Sequence, residues 1–99
     1  MNINVNAVGF KTDVKLDEFI DKKVSKLESV YERIQGAEVT LRLDAKEKDS
    51  NKVAEIRLQV PGEDIFAKKQ CNTFEEAIDN CVEAIRKQTV KRKEKISNK

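Results

Sequence analysis

The stretch from Glu38 to Ala67, EVTLRLDAKEKDSNKVAEIRLQVPGEDIFA, decides the fold. Val39, Leu41 and Leu43 alternate with Glu38, Thr40 and Arg42. Ala54, Ile56, Leu58 and Val60 alternate in the same way with Glu55, Arg57 and Gln59. A period of two sends the apolar set to one face of a strand and the polar set to the other. A polar loop from Ala45 to Asn51 joins the two strands, and its mixed charges, Lys46, Glu47, Lys48 and Asp49, suit a solvated connection. Pro61-Gly62 is a turn signal, after which Ile65, Ala67 and Cys71 carry a third strand with Phe66 on its other face.

On the N-terminal side, Ile3, Val5 and Ala7 alternate with Asn2, Asn4 and Asn6, which predicts a further short strand over Asn2 to Val8. Gly9 to Thr12 form a turn, and Asp13 is placed to cap a helix that begins at Val14. Residues 14–35 read as one long amphipathic helix with a stripe of Leu16, Phe19, Ile20, Leu27, Val30, Tyr31 and Ile34, ended by Gly36. On the C-terminal side, Thr73-Phe74-Glu75-Glu76 has the form of a capping box. Ala77, Ile78, Cys81, Val82 and Ile85 then make the stripe of a last helix. Beyond Ile85 the apolar signal fades to Val90 and Ile96, so that end projects past the core or rests on a partner. The order is β-α-β-β-β-α. The expected class is α+β, a four-stranded, mainly antiparallel sheet with both helices on one face.

With 99 residues the chain is one domain, 1–99, in which 86–99 is a basic helical extension. There is no histidine, which removes the commonest general base and the commonest metal ligand. Neither a nucleophile-and-base pattern nor a glycine-rich phosphate loop is present, so the reading is a protein that is not an enzyme, with no cofactor, metal or small-molecule substrate. Glu63-Asp64 flank a turn and Glu75-Glu76 occupy the first turn of a helix, where acids complement its dipole. Cys71 and Cys81 read as buried reduced thiols in a cytoplasmic protein. No apolar run approaches the roughly 20 residues that span a bilayer, so no membrane partner is expected.

The net charge of +2 hides an uneven layout. Residues 86–99 hold seven Lys or Arg and one acid, Glu94, whereas residues 1–85 hold thirteen basic and seventeen acidic side chains. An acidic body with a basic end points to an anionic partner, RNA first. Lys87, Lys91 and Lys95 stand at i, i+4 and i+8, one column on a helix, with Arg86, Arg92 and Lys93 around it. Such a column meets successive phosphates and suits backbone contact more than base readout. On the first helix, Lys15, Lys22, Lys26 and Arg33 fall at about 240–280° from Leu16, and Asp17, Asp21, Glu28 and Glu32 at about 100–160°. The basic flank suits phosphates, and the acidic flank offers a contact for proteins. Phe66 and Tyr31 have rings able to stack on bases, with core or edge packing the preferred reading for both.

These residues resemble the short ribosome-hibernation promoting factors, also described as ribosome-associated inhibitors and grouped with sigma-54 modulation proteins. The resemblance covers nearly the whole chain. It rests on Met1-Asn2-Ile3-Asn4, Val24-Ser25-Lys26-Leu27-Glu28 with Arg33-Ile34, Val60-Pro61-Gly62, Ala77-Ile78-Asp79, and Lys87-Gln88 with Lys91, Lys93 and Lys95. It implies a fold like that of double-stranded RNA-binding domains. It also implies binding to the small ribosomal subunit and its rRNA in the mRNA/tRNA channel, with translation inhibited by occlusion. Carry-over of contacts is best supported at Lys26, Lys87, Lys91 and Lys93, and extends to Lys22, Arg33 and Lys95. Ribosomal proteins are a further expected contact, and the chain is expected to be monomeric off the ribosome. Ala84 stands where the family often has a basic residue, leaving Arg86, two residues on, to supply that contact. Thr73-Phe74-Glu75 replaces a common Asp-x-Tyr, so the cap survives and the tyrosine does not. The chain ends soon after the helix, without the extra dimerisation domain of long members, so tethering of two ribosomes through such a domain is not expected. The alternative is a general double-stranded RNA-binding domain, which the element order also permits.

Overall fold

The computed structural model describes residues 1–97, and over 92–97 it describes the backbone alone. Its elements are β1 (Asn2–Ala7), α1 (Val14–Ser25), a 3-10 turn (Lys26–Ser29), β2 (Gly36–Leu43), β3 (Lys52–Gln59), β4 (Ile65–Cys71) and α2 (Phe74–Ser97). The sheet order is β1-β2-β3-β4. β1 and β2 are parallel and the other two pairs antiparallel. The expected α+β class and element order therefore hold.

Both caps form. The Asp13 carboxylate accepts the Leu16 N–H at 2.8 Å. The Thr73 hydroxyl accepts the Glu76 N–H at 3.1 Å. Each satisfies one amide that the start of a helix leaves without a partner.

The single helix expected over 14–35 does not form. α1 stops at Ser25, passes through one 3-10 turn, and leaves Tyr31 to Gln35 irregular. The reason is the length of the crossover. β1 has six residues, roughly 20 Å of strand, and Gly36 must lie beside Asn2. The twelve residues of α1 rise roughly 18 Å and make that return, whereas 22 helical residues would rise roughly 33 Å and overshoot. The apolar stripe still does its work without the helix: Leu27 is buried, and Tyr31 and Ile34 pack half-buried against the core. Gly36 accordingly opens β2 instead of closing a helix.

The core lies between the helices and one face of the sheet. Ile20, Val24, Leu27, Val39, Leu41, Ile56, Leu58, Ile78 and Ile85 are all at most 1% exposed. Both thiols are free and buried, as expected. Cys81 directs its S–H at the Ala54 carbonyl, 3.2 Å away, and burial pushes its pKa up to about 11. α2 stays packed longer than its apolar pattern suggests. Thr89 is fully buried because its hydroxyl donates to the Ile85 carbonyl at 2.8 Å, so the polar group needs no water.

Candidate nucleic-acid interface

Two hydrogen bonds and one ion pair collect the basic residues at one end of the sheet. β1, β2 and β4 begin there and β3 ends there, with Asn2 beside Gly36, Gly36 beside Gln59, and Leu58 beside Ile65. The Met1 amine lies 3.4 Å from Glu28, which brings the 3-10 turn and Lys26 to this end. The Gln35 N–H donates to the Gln59 carbonyl at 2.8 Å, which holds the turn bearing Arg33 close by. The Gln88 side-chain amide donates to the Phe66 carbonyl at 3.2 Å, which ties this part of α2 to the first residues of β4. Lys26, Arg33 and Lys87 thus meet at one end. Lys22 lies about one turn back along α1, and Lys91 about one turn further along α2.

All five side chains are exposed, and none has an ion-pair partner among the described residues. Helical geometry puts Lys87 roughly opposite the buried stripe of α2, with Lys91 turned towards the side where Gln88 meets β4. Arg86 differs. Its guanidinium grips Glu83 through contacts of 3.1 and 2.6 Å. That hydrogen bond raises the pKa of Arg86 and lowers that of Glu83. Arg86 thus differs from the other five cations in already holding an acidic partner on its own helix. Ala84, two residues before it, packs half-buried against the core. The side chains of Arg92, Lys93 and Lys95 lie outside the described residues; the helix that carries them continues to Ser97.

Sequence reasoning missed Lys23. Its ammonium lies 3.2 Å from Asp79 on α2 and 5.6 Å from the centre of the Phe19 ring. The pair pins α1 against α2 and thereby sets the basic flank of one helix beside the other. No local pattern marks it, because the partner is remote in the chain. On the acidic flank, Asp17 accepts the Thr12 hydroxyl at 2.7 Å, and Asp21 and Glu32 are exposed.

The outer face of the sheet also departs from expectation. Tyr31 packs half-buried against the core as expected, but Phe66 is 44% exposed. Strand alternation points it away from both helices, into a cross-strand row with Asn4, Glu38 and Arg57. The Arg57 guanidinium stands 6.0 Å from the centre of its ring. The next row holds Asn6, Thr40, Glu55 and Lys68, with Glu55 paired to Arg42. In the loop after β2, Lys46, Glu47, Lys48 and Asp49 are exposed as expected, while the loop's two ends are held by the sheet. Gln70 donates to the Asp44 carboxylate at 3.1 Å and to the Ser50 carbonyl at 2.9 Å. Val53 lies on the same outer face and is only 2% exposed.

Among the described residues no group of His, Cys, Asp or Glu is arranged to hold a metal ion. Among the same residues, no helix is long and apolar enough to cross a membrane.

Comparison with known proteins agrees with this architecture. The solved structure of a ribosomal subunit interface protein from Coxiella burnetii superposes with a TM-score of 0.83 at 18% identity, covering 94% of this chain and 98% of that one. The N-terminal domain of Protein Y from Thermus thermophilus superposes with a TM-score of 0.79 at 23% identity, covering 92% and 98%. These likenesses establish the fold. In sequence, the ribosome hibernation promoting factor of Azotobacter vinelandii is 30% identical over 95 residues, covering 94% of this chain and 85% of the relative. That of Klebsiella oxytoca is 25% identical over 96 residues, covering 97% of each. Residues 3–97 match the family described as sigma 54 modulation protein / S30EA ribosomal protein, and the chain belongs to that family.

Proposed function

We propose that this protein is a ribosome hibernation factor that binds the small ribosomal subunit in the mRNA/tRNA channel and inhibits translation by filling it. The observation that carries this reading is the gathering of Lys26, Arg33, Lys87 and Lys91 at one end of the sheet, exposed and outside every ion pair found among the described residues. Cations arranged along a surface neutralise consecutive phosphates of structured RNA and release counterions. Lysines supply that contact as point charges and leave the sequence of the RNA unread. The relatives' name, ribosome hibernation promoting factor, supplies the biological setting, the ribosome in the cytoplasm. The mechanism is occlusion: the compact body blocks the channel while the cations hold it there, and no bond is made or broken.

Co-sedimentation with separated small and large subunits over a salt series tests this, alongside a variant carrying Lys87→Glu, Lys91→Glu and Lys93→Glu. Wild type is expected to pellet with small subunits at moderate salt, and the variant to remain in the supernatant. Equal binding of wild type to small subunits and to a plain RNA duplex would replace this reading with that of a general duplex binder.

A further inference from the structure

We propose that Phe66 and Arg57 form a stacking platform for an unpaired base of single-stranded RNA on the outer face of the sheet. This adds a second RNA contact to the reading above and rests on it for the identity of the polymer. Three observations lead there.

The first is the exposure of Phe66. An edge strand ordinarily presents charged or short side chains outward, because an apolar edge invites association. β4 instead presents a phenylalanine, 44% exposed, on the face of the sheet away from both helices. Aromatic rings displayed on an open sheet are one way in which proteins hold splayed-out bases.

The second is the neighbourhood of the ring. The Arg57 guanidinium lies 6.0 Å from its centre, nearly the separation at which a third flat group fits between two others. A small outward swing of Arg57 opens a slot with an aromatic floor and a planar cationic roof. Lys68 is on the same face, two residues along β4, where a phosphate beside the stacked base would lie. Of the two acids in these rows, Glu55 is already paired with Arg42, and Glu38 accepts from Gln59 at 3.5 Å. Asn4, Asn6 and Thr40 fill the remaining positions with hydrogen-bonding groups that tolerate any base edge. A flat, anionic ligand suits this surface; an apolar protein segment would leave Arg57, Lys68 and the amides unpaired.

The third is continuity with the basic side of α2. Gln88, between Lys87 and Lys91 in sequence, donates to the carbonyl of Phe66 itself. One nucleic-acid strand held by those lysines passes the β4 edge and meets the Phe66 ring within a residue's width. The platform is thus the end of the same path, turned onto the other face.

The test uses the full chain with isotopic labels and a single-stranded pyrimidine hexamer of RNA, read by NMR, with subunit co-sedimentation alongside. Binding is expected to move the Phe66 ring signals upfield. Phe66→Ala is expected to weaken hexamer binding by about five- to a hundred-fold, with Phe66→Trp retaining it. The salt dependence should be unchanged in Phe66→Ala, unlike in lysine variants, because stacking neutralises no phosphate. Phe66→Leu keeps apolar bulk without a π-face and serves where the alanine variant is poorly folded; it should bind as weakly. Equal hexamer affinity in wild type and Phe66→Leu would overturn the platform. A response of Phe66 to an acidic peptide but not to RNA would also overturn it. If the hexamer binds through Phe66 while wild type ignores small subunits, the hibernation reading falls and the platform stands.

Discussion

Asp13 closes the first helix with a single carboxylate oxygen on the Leu16 amide. Its neighbours Thr12 and Val14 have no part in that bond, so the effect of removing it is separable. Asp13→Ala should lower stability by about 0.5–2 kcal/mol in urea unfolding, with the denaturant slope unchanged because the core is untouched. Cys81 shows the opposite economy. It is fully buried, its thiol sits against the Ala54 carbonyl, and its raised pKa disfavours the thiolate. A thiol in that state is an apolar packing atom and a weak donor, which is why a chain with two cysteines needs neither a disulfide nor a metal to account for them.

At the scale of elements, the loop between β2 and β3 is fastened by charge as well as by turns. The Lys46 backbone N–H, foremost, and the Gln70 amide lower the pKa of Asp44 below its usual 3.8. A carboxylate with a depressed folded pKa adds stability above its unfolded pKa, and that stability is lost as pH falls through the folded value. The Lys46 and Gln70 signals in NMR should therefore shift towards those of a free loop only below about pH 3.8, while β2 and β3 stay paired. Loop signals already free at neutral pH would contradict this. α1 illustrates a different constraint. Its length is set by the strand it must return beside, and its own propensity would have carried it further.

At the scale of the whole molecule, the charge of the body and the charge of the site are separate quantities. A net charge of +2 gives weak overall attraction to RNA, so the proposed function rests on the few cations placed to reach phosphates. Log affinity for small subunits should fall linearly with log salt concentration. Replacing Lys87 and Lys91 together by glutamine should reduce that slope by about 1.4–1.8, from roughly 0.7–0.9 per phosphate contact. An unchanged slope would place the RNA on another face. Lys23→Ala tests nothing about phosphates directly, yet it loosens α1 from α2 by removing the Asp79 contact. Its effect would come through the spacing of Lys22 and Lys26 relative to α2.

Periodicity determined the class of fold, the order of elements and which side chains share a face of each strand, because burial sorts side chains by a repeat that is local in the chain, and the residue types at Asp13 and Thr73 marked both caps. The basic character of α2 was legible for the same reason: Lys87, Lys91 and Lys95 are spaced by helical geometry alone. Four outcomes waited for the tertiary structure, and each depends on a remote partner or on packing. The end of α1 at Ser25 is set by the length of β1. The burial of Thr89 is set by what α2 packs against. The partial engagement of Arg86 is set by the rotamer that reaches Glu83. The exposure of Phe66 is set by which face of the sheet the helices leave open. Alternation places a side chain on one face or the other, and only the packing of distant elements decides which face meets water.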